Sequence, residues 1–112
     1  MKPNTIVMQT FNLRAMKAYP YEQRDKNELY KTDTFKTRII ELTEGEKLPT
    51  DEPCRMESHV IFYVVSGKIG ITINGEYSVL EEDHCVISEP GSYQMEAKED
   101  SKLLGIQIAK TA

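Results

Sequence analysis

Three short β-type segments in succession, separated only by turn residues, are the feature that most limits how this chain can fold. The first, HVIFYVVSG at residues 59–67, is a continuous run of β-branched and aromatic residues, typical of a strand covered on both faces. The second, IGITING at residues 69–75, places its three isoleucines on one face through period-two alternation. It ends in Asn-Gly, the preferred dipeptide of a type I′ hairpin, because both residues tolerate positive φ. EYSVL at residues 76–80 supplies the partner strand, so the sequence predicts an antiparallel sheet.

The rest of the chain continues this pattern of short strands and turns. About eight strands at short, regular spacing, with no long helix between them, predict an all-β antiparallel sandwich or barrel. Residues 1–26 are polar and irregular, and we expect an N-terminal arm there that packs on a barrel of residues 27–112. The other strand segments are TFKTRIIELTEGEKLP at 34–49, HCVIS at 84–88, YQMEA at 93–97 and KLLGIQIAK at 102–110.

Composition and charge argue against several classes of function. A chain of 112 residues fits a single domain. The net charge of −4, with Lys and Arg scattered among acids, argues against a nucleic-acid surface, which usually carries clustered positive charge. No apolar run approaches the roughly 20 residues that span a bilayer, and the first residues lack the apolar segment of a signal peptide. We therefore expect a cytoplasmic protein with neither nucleic-acid nor membrane partners.

The cysteines and histidines are few and dispersed. In the cytoplasm, Cys54 and Cys85 are expected to be reduced thiols rather than a disulfide. Cys85 lies in a strand pattern and is predicted to be buried as a small hydrophobe. His59 and His84 each lie where a turn meets a strand, which favours surface or interface positions. A role as general base stays open for either, since histidine titrates near neutrality.

The central strands also resemble a known family. VIFYVVSGKIGITINGE at residues 60–76, followed by EPGSYQ at residues 89–94, resembles a small single-domain cupin. The resemblance extends over roughly residues 34–109 and implies a double-stranded β-helix, that is, a jelly-roll barrel, preceded by the irregular arm. It also implies a homodimer, and the apolar strand at residues 60–65 agrees, because a strand that is apolar on both faces needs cover.

The resemblance also identifies where cupins hold their metal. The two histidine positions of the first cupin motif fall on Cys54 and Met56, its glutamate position on Val60, and the histidine position of the second motif on Gln94. Iron, manganese and zinc sites of this kind need several imidazole and carboxylate donors. Valine provides no donor atom, and a thioether and an amide are weak donors for hard ions. The resemblance therefore implies a barrel in which the usual metal has been lost, and no cofactor is expected.

Two alternatives would retain a metal. Cys54 and Met56 suit a soft ion such as Cu(I), which prefers sulfur ligands. A one-residue slip of the strand register would instead turn Glu57 and His59 toward the interior, but it would expose Val60 and its apolar neighbours. Cys54, Met56 and His59 are therefore the candidate metal ligands if a metal is present.

The strand after the Pro-Gly turn is open to two interpretations. The resemblance points Gln94 inward, and Glu96 shares its face. Simple alternation instead buries Tyr93, Met95 and Ala97. Both hold if the barrel keeps a polar cavity on one face of the strand and a partner sheet covers the other.

We expect this chain to bind a small organic ligand inside the barrel, as a sensor, carrier or accessory protein. A cupin-type enzyme of the oxygenase or isomerase kind is the alternative, either through an unorthodox sulfur-containing metal site or metal-free with Glu96 or His59 as acid/base. A third hypothesis is an interaction module whose barrel is filled with side chains. The residues expected to line the ligand pocket are Cys54, Met56, Val60, Phe62, Gln94 and Gln107.

Overall fold

The computed structural model describes residues 8–49 and 53–108, and its architecture is all-β. The described part contains ten strands and a short 3-10 helix, Tyr21–Asn27, and none of its helices is long and apolar enough to cross a membrane. The strands are β1 Glu28–Lys31, β2 Phe35–Leu42, β3 Lys47–Leu48, β4 Cys54–Met56, β5 His59–Ser66, β6 Lys68–Ile73, β7 Glu76–Glu81, β8 Cys85–Ser88, β9 Gly91–Ala97 and β10 Ser101–Ile108.

Two antiparallel sheets form the body of the protein. The first, sheet A, has the strand order β1-β2-β10-β5-β8. The second, sheet B, has the order β3-β9-β6-β7, with β4 pairing alongside β3 on the same edge of β9. Strands that are adjacent in a sheet are often distant in sequence, since the last strand, β10, lies between β2 and β5. This crossing connectivity is that of a jelly roll. The all-β jelly-roll prediction is confirmed, although strand pairing does not join the two sheets into a closed barrel.

Period-two alternation determines which side chains form the core between the sheets. On β5, Val60, Phe62 and Val64 are each at most 4% exposed, whereas the alternate residues are partly exposed along most of the strand. On β6, Ile69 and Ile71 face Ala97 and Met95 of β9, as the sequence pattern predicts. Successive side chains point to opposite faces of a strand, so this single register buries both apolar sets at once.

The turns follow the chemistry of their residues. Asn74 and Gly75 have φ of 50° and 85°, which is the pair of positive values that a type I′ hairpin requires. Gly67, between β5 and β6, has a φ of 94° and lies directly against the start of β10. There the Ser101 hydroxyl accepts the Lys68 amide at 2.9 Å, which attaches this turn to sheet A.

The N-terminal arm lies against the outer face of sheet A. Lys102 on β10 is only 7% exposed, and its Nζ donates hydrogen bonds to the carbonyls of Arg14 and Met16. The Ala18 amide donates to Glu41 Oε1 at 2.8 Å, and Glu41 also lies 3.7 Å from Lys102 Nζ. These contacts connect the arm to β2 and β10, and the domain boundary at residue 26 stays a prediction.

Strand β8 departs from the expected burial. Cys85 is a free, exposed cysteine, so the prediction that it is a buried hydrophobe is wrong. Val86 packs against the core, which turns Cys85 and Ile87 to the other face. Strand β8 is the last strand of sheet A, and Ile87 is 71% exposed there. Alternation correctly predicts the two faces of this strand, but it does not reveal which face is covered.

Candidate functional site

A cavity of about 530 Å³ opens between the arm and the interior of the two sheets. Four parts of the chain build it: the arm and 3-10 helix, the inner face of β2, the segment around β3, and the facing strands β5, β9 and β10. The lining residues that the chemistry below concerns are Tyr19, Arg24, Lys36, Arg38, Ile40, Lys47, Leu48, Phe62, Tyr93, Gly105 and Gln107.

One wall of the cavity is apolar and aromatic. The rings of Phe62 and Tyr93 lie 5.4 Å apart between centroids and are tilted by 40°. Ile40 and Leu48 extend this wall and pack on the core. Gly105 lies opposite Phe62 in register, and an added Cβ there would stand 3.3 Å from the Ile40 side chain. Ile40 and Phe62 therefore pack directly on the backbone of Gly105, where a larger side chain would displace them.

The other wall is cationic. Lys36 and Arg38 are two residues apart on β2 and share the inner face with Ile40, so both reach the cavity. Their side chains are 29% and 24% exposed. One carboxylate oxygen of Glu28 serves both, at 3.7 Å from Lys36 Nζ and 3.9 Å from Arg38 Nη2. Both distances exceed hydrogen-bond length, so Glu28 compensates the two charges only loosely.

Two of the residues expected to line the pocket do so, Phe62 and Gln107. Gln107 Nε2 lies 3.6 Å from Met56 Sδ, its acceptor, and Gln107 is also the register partner of Val60. Val60 is 2% exposed and belongs to the core, whereas Met56 packs on the edge of the core. The backbone of Cys54 pairs with Tyr93, and its side chain lies outside the described residues.

Gln94 does not line the cavity, which corrects the expectation drawn from the resemblance. Tyr93 and Met95 lie on the inner face of β9, so alternation turns Gln94 to the outer face. Its Nε2 donates to the Pro49 carbonyl at 3.0 Å, in the gap between the pairing of β3 and that of β4. Gln94 therefore holds the segment after β3, and through Pro49 it supports the rim of the cavity.

Glu96 shares the outer face of β9 with Gln94 and is likewise not placed for acid/base chemistry in the cavity. Its carboxylate lies 3.3 Å from Lys98 Nζ. The pKa of Lys98 is raised above its ordinary value, first by this hydrogen bond with Glu96 and second by a hydrogen bond with Tyr77. His59 is exposed at the start of β5, and His84 lies in an exposed turn, where its Nδ1 accepts the Glu81 amide at 3.1 Å.

The residues at the cupin metal positions do not fit a metal centre. Val60 has no donor atom, Gln94 lies on the outer face, and the Met56 thioether accepts a hydrogen bond from Gln107. Glu57 lies 3.7 Å from Arg55 on the exposed side, so the register slip that would turn it inward is absent. Within residues 8–49 and 53–108, no three His, Cys, Asp or Glu side chains converge on a point where an ion could sit.

Sequence reasoning missed most of the cavity wall. Lys36, Arg38 and Ile40 alternate along KTRII, but Ile39 on the opposite face is 1% exposed, so this period-two pattern does not by itself show that the cations face the cavity. The arm residues that close the cavity, among them Tyr19 and Arg24, carry no such signal, because their position depends on contacts with distant strands. Tyr93 was expected to be buried, but not to line a pocket.

Solved structures with the same architecture identify the fold. A cupin superfamily protein from Desulfitobacterium hafniense superposes with a TM-score of 0.67 at 14% identity, over 74% of each chain. The fold is that of the cupins. KdgF from a Halomonas species has a TM-score of 0.65 at 19% identity, over 75% of this chain and 76% of its own. A conserved protein of unknown function from Streptococcus pyogenes has a TM-score of 0.67 at 16% identity, over 76% and 73%.

These likenesses extend to the fold and no further. The sequence matches no protein-family model and no curated protein sequence. Proteins of the cupin fold differ in function, and the chemistry of a site depends on its side chains rather than on its fold. The function of this chain must therefore be argued from the cavity itself.

Proposed function

We propose that this chain binds a small organic molecule in its cavity, without the usual cupin metal, as a sensor, carrier or accessory protein. The cavity is the observation that supports this. Its volume of about 530 Å³ lies within the range of about 300–1,000 Å³ found for small-molecule pockets. Its wall combines an apolar and aromatic side with charged and polar groups, and polar groups of this kind fix the orientation of a bound molecule.

The arrangement of the wall favours a ligand over a packed interior. Phe62 and Tyr93 present aromatic surface to a cavity that the side chains around it leave unfilled, and Gly105 adds no side chain to that wall. Within the described part of the chain, the amide nitrogen of Gln107 donates to the Met56 sulfur alone, and this weak acceptor leaves it available to a better one. An interaction module with a solid barrel would carry larger side chains at such positions.

The proposal is tested by a thermal-shift screen of a small-molecule library against the wild type and a Gly105→Leu variant. A ligand at 100 times its Kd stabilises the folded state by about 2.7 kcal/mol. For a domain of this size that raises Tm by about 10 °C. We expect Gly105→Leu to remove the shift, because its side chain occupies the space beside Ile40 and Phe62.

Gly105→Ala is the matched control. Its Cβ meets only the flexible tip of Ile40 at 3.3 Å and ordinary contacts with Phe62, so the variant keeps most of the cavity and most of the shift. Compounds that stabilise wild type and Gly105→Leu equally bind elsewhere and would contradict the proposal. A folded wild type that no compound stabilises would also contradict it.

Metal content distinguishes the binding protein from the enzyme alternative. We expect elemental analysis of protein purified without chelator to find no stoichiometric metal. About one equivalent of metal, lost in Cys54→Ser, would contradict the metal-free proposal and favour a sulfur-ligated enzyme site. The Cys54→Ser variant is needed because a metal that remains bound to it cannot be held by the Cys54 thiolate.

The proposal includes a homodimer in the cytoplasm. The large apolar side chains exposed on the outer edge strands support self-association, among them Ile87 at 71% and Tyr77 at 55% exposure. Light scattering of wild type and Ile87→Glu tests it. We expect a dimer that the charged side chain weakens, whereas a wild-type monomer at high concentration would rule it out.

A further inference from the structure

The cavity carries more positive charge than its surroundings. Four of its lining residues are cations, namely Arg24, Lys36, Arg38 and Lys47. The lining acids are Glu41 and Glu46, and Glu28 is the third carboxylate at the site. The chain as a whole has a net charge of −4, so a cavity with an excess of cations reverses the sign of the protein around it.

Both lining acids already accept hydrogen bonds from backbone amides beside them. Glu41 accepts the Ala18 amide at 2.8 Å and lies 3.7 Å from Lys102. Glu46 accepts the Thr43 amide at 2.8 Å within its own turn. Among the described residues, only Glu28 lies within 4 Å of the pair of cations on β2, so that pair retains roughly one positive charge without a matching carboxylate there.

The guanidinium of Arg38 is incompletely paired. Its Nε is buried and has no hydrogen-bond partner among the described residues. A buried N–H that makes no hydrogen bond is costly, and more so in a charged group. The described residues therefore leave part of the hydrogen-bonding capacity of the guanidinium unused, and a carboxylate is the acceptor that matches a guanidinium in geometry and charge.

We infer that the ligand of this cavity is a small organic carboxylate, with its carboxylate at Lys36 and Arg38 and its apolar part against Phe62 and Tyr93. The inference rests on the proposed function and names the ligand class for the same cavity. A monoanion suits the surplus of about one charge better than a dianionic phosphate ester does. Gln107 follows Gly105 on the inner face of β10, where its amide donates to the same carboxylate.

The test is an NMR titration that follows backbone amides of the full chain. The probes are phenylacetate, cyclohexanecarboxylate and hexanoate, each beside its primary amide, which keeps the shape and removes the charge. We expect the carboxylates to shift the amides of Arg38, Gly105 and Gln107 and to bind about tenfold or more tighter than their amides. The double variant Lys36→Met/Arg38→Met should lose this preference, and Lys31→Met, on the exposed edge strand, should keep it.

The outcomes separate the two proposals. Equal binding of carboxylates and amides, both at the cavity, would overturn the carboxylate inference while the cavity remains a small-molecule site. Binding of neither series in the cavity, together with a thermal-shift screen without hits, would overturn both. Tighter carboxylate binding that survives in the double variant would place the anion elsewhere and overturn the inference. The spectrum of the double variant shows directly whether it is folded.

Discussion

Replacement of Lys102 by methionine tests how the N-terminal arm is held, and with it one side of the cavity. The side chain of Lys102 is 9% exposed, and its ammonium donates to two arm carbonyls. Hydrogen bonds to charged groups contribute about 1.5–3 kcal/mol each. The ion pair with Glu41 adds little, since Glu41 is 38% exposed and such pairs contribute about 0–1 kcal/mol.

We expect Lys102→Met to lower the free energy of unfolding by about 2–4 kcal/mol, since methionine retains the apolar contacts of the lysine stem but donates no hydrogen bond. Part of the gross loss is recovered, because water reaches the freed carbonyls of the partly exposed arm. The assay is urea unfolding, in which an m-value of about 2 kcal/mol per molar turns this loss into a midpoint shift of about 1–2 M.

Lys31→Met is the matched control, since Lys31 is exposed on β1 and its loss should change stability by less than about 0.5 kcal/mol. Trypsin should also cleave the arm faster after Arg14 or Lys17 in Lys102→Met than in the control, because the arm is then less firmly held. Equal, small stability losses in the two variants, with unchanged cleavage, would refute the reasoning. The arm would then be held by other contacts.

Two further predictions concern turns and pH. Gly67→Ala should lower the free energy of unfolding by at least about 3 kcal/mol, since the φ of Gly67 is 94° and its Cβ would lie 2.2 Å from Ser101 Oγ. Gly75→Ala, with nothing within 4 Å of the added Cβ, should lower it by only about 1–2 kcal/mol. Equal urea midpoints for the two variants would contradict the packing argument. The Tyr63 hydroxyl donates to Asp83 at 2.5 Å, and this hydrogen bond is the first cause that raises the pKa of Tyr63 above its usual value of about 10. The stabilisation of the folded state by this hydrogen bond is therefore complete below the usual tyrosine pKa, and it is lost as pH rises through the raised pKa of Tyr63. Urea unfolding should show that the wild type is more stable than Tyr63→Phe and that this difference shrinks in alkaline solution. A stability difference that is independent of pH would contradict the assignment.

The part of the fold that could be predicted from sequence is the part fixed by local pattern. The isoleucines of β6 alternate strictly, and the Asn-Gly dipeptide permits only a narrow set of turns. The period of the hydrophobic residues and the type of turn both indicate the same hairpin there. The sequence therefore predicts the position of β6, its buried face and its register with β7. The short strands β1 and β4 were missed, and β3 was not separated from the strand before it, because these strands contain only two to four residues.

Gln94 shows why the resemblance misled at the site. A sequence motif gives only the number of residues between its positions. If the turn before a strand is one residue longer or shorter, every side chain of that strand moves to the opposite face of the sheet. The buried Met95 and Ala97 follow the apolar pattern, and that pattern was the better guide to β9. The free energy of burial maintains the apolar alternation along β9, whereas Gln94 at the motif position contributes no buried apolar contact that would hold a register.

The cationic wall was missed for a different reason. Lys36 and Arg38 look like ordinary surface residues in the sequence, because charged side chains usually face solvent. Their inward position follows from Ile40 on the same face, but the space around them is enclosed by segments that are distant in sequence, among them the arm and β10. A cavity made by segments far apart in sequence cannot be read from any one of them.

A crystal structure of the protein grown with the compound that gives the largest thermal shift would show directly whether the cavity binds a small molecule. We expect the molecule inside the cavity, with its apolar part on Phe62 and Tyr93 and no metal ion beside it. A molecule bound only on the outer surface, or a cavity closed by side chains of the protein itself, would contradict the proposed function.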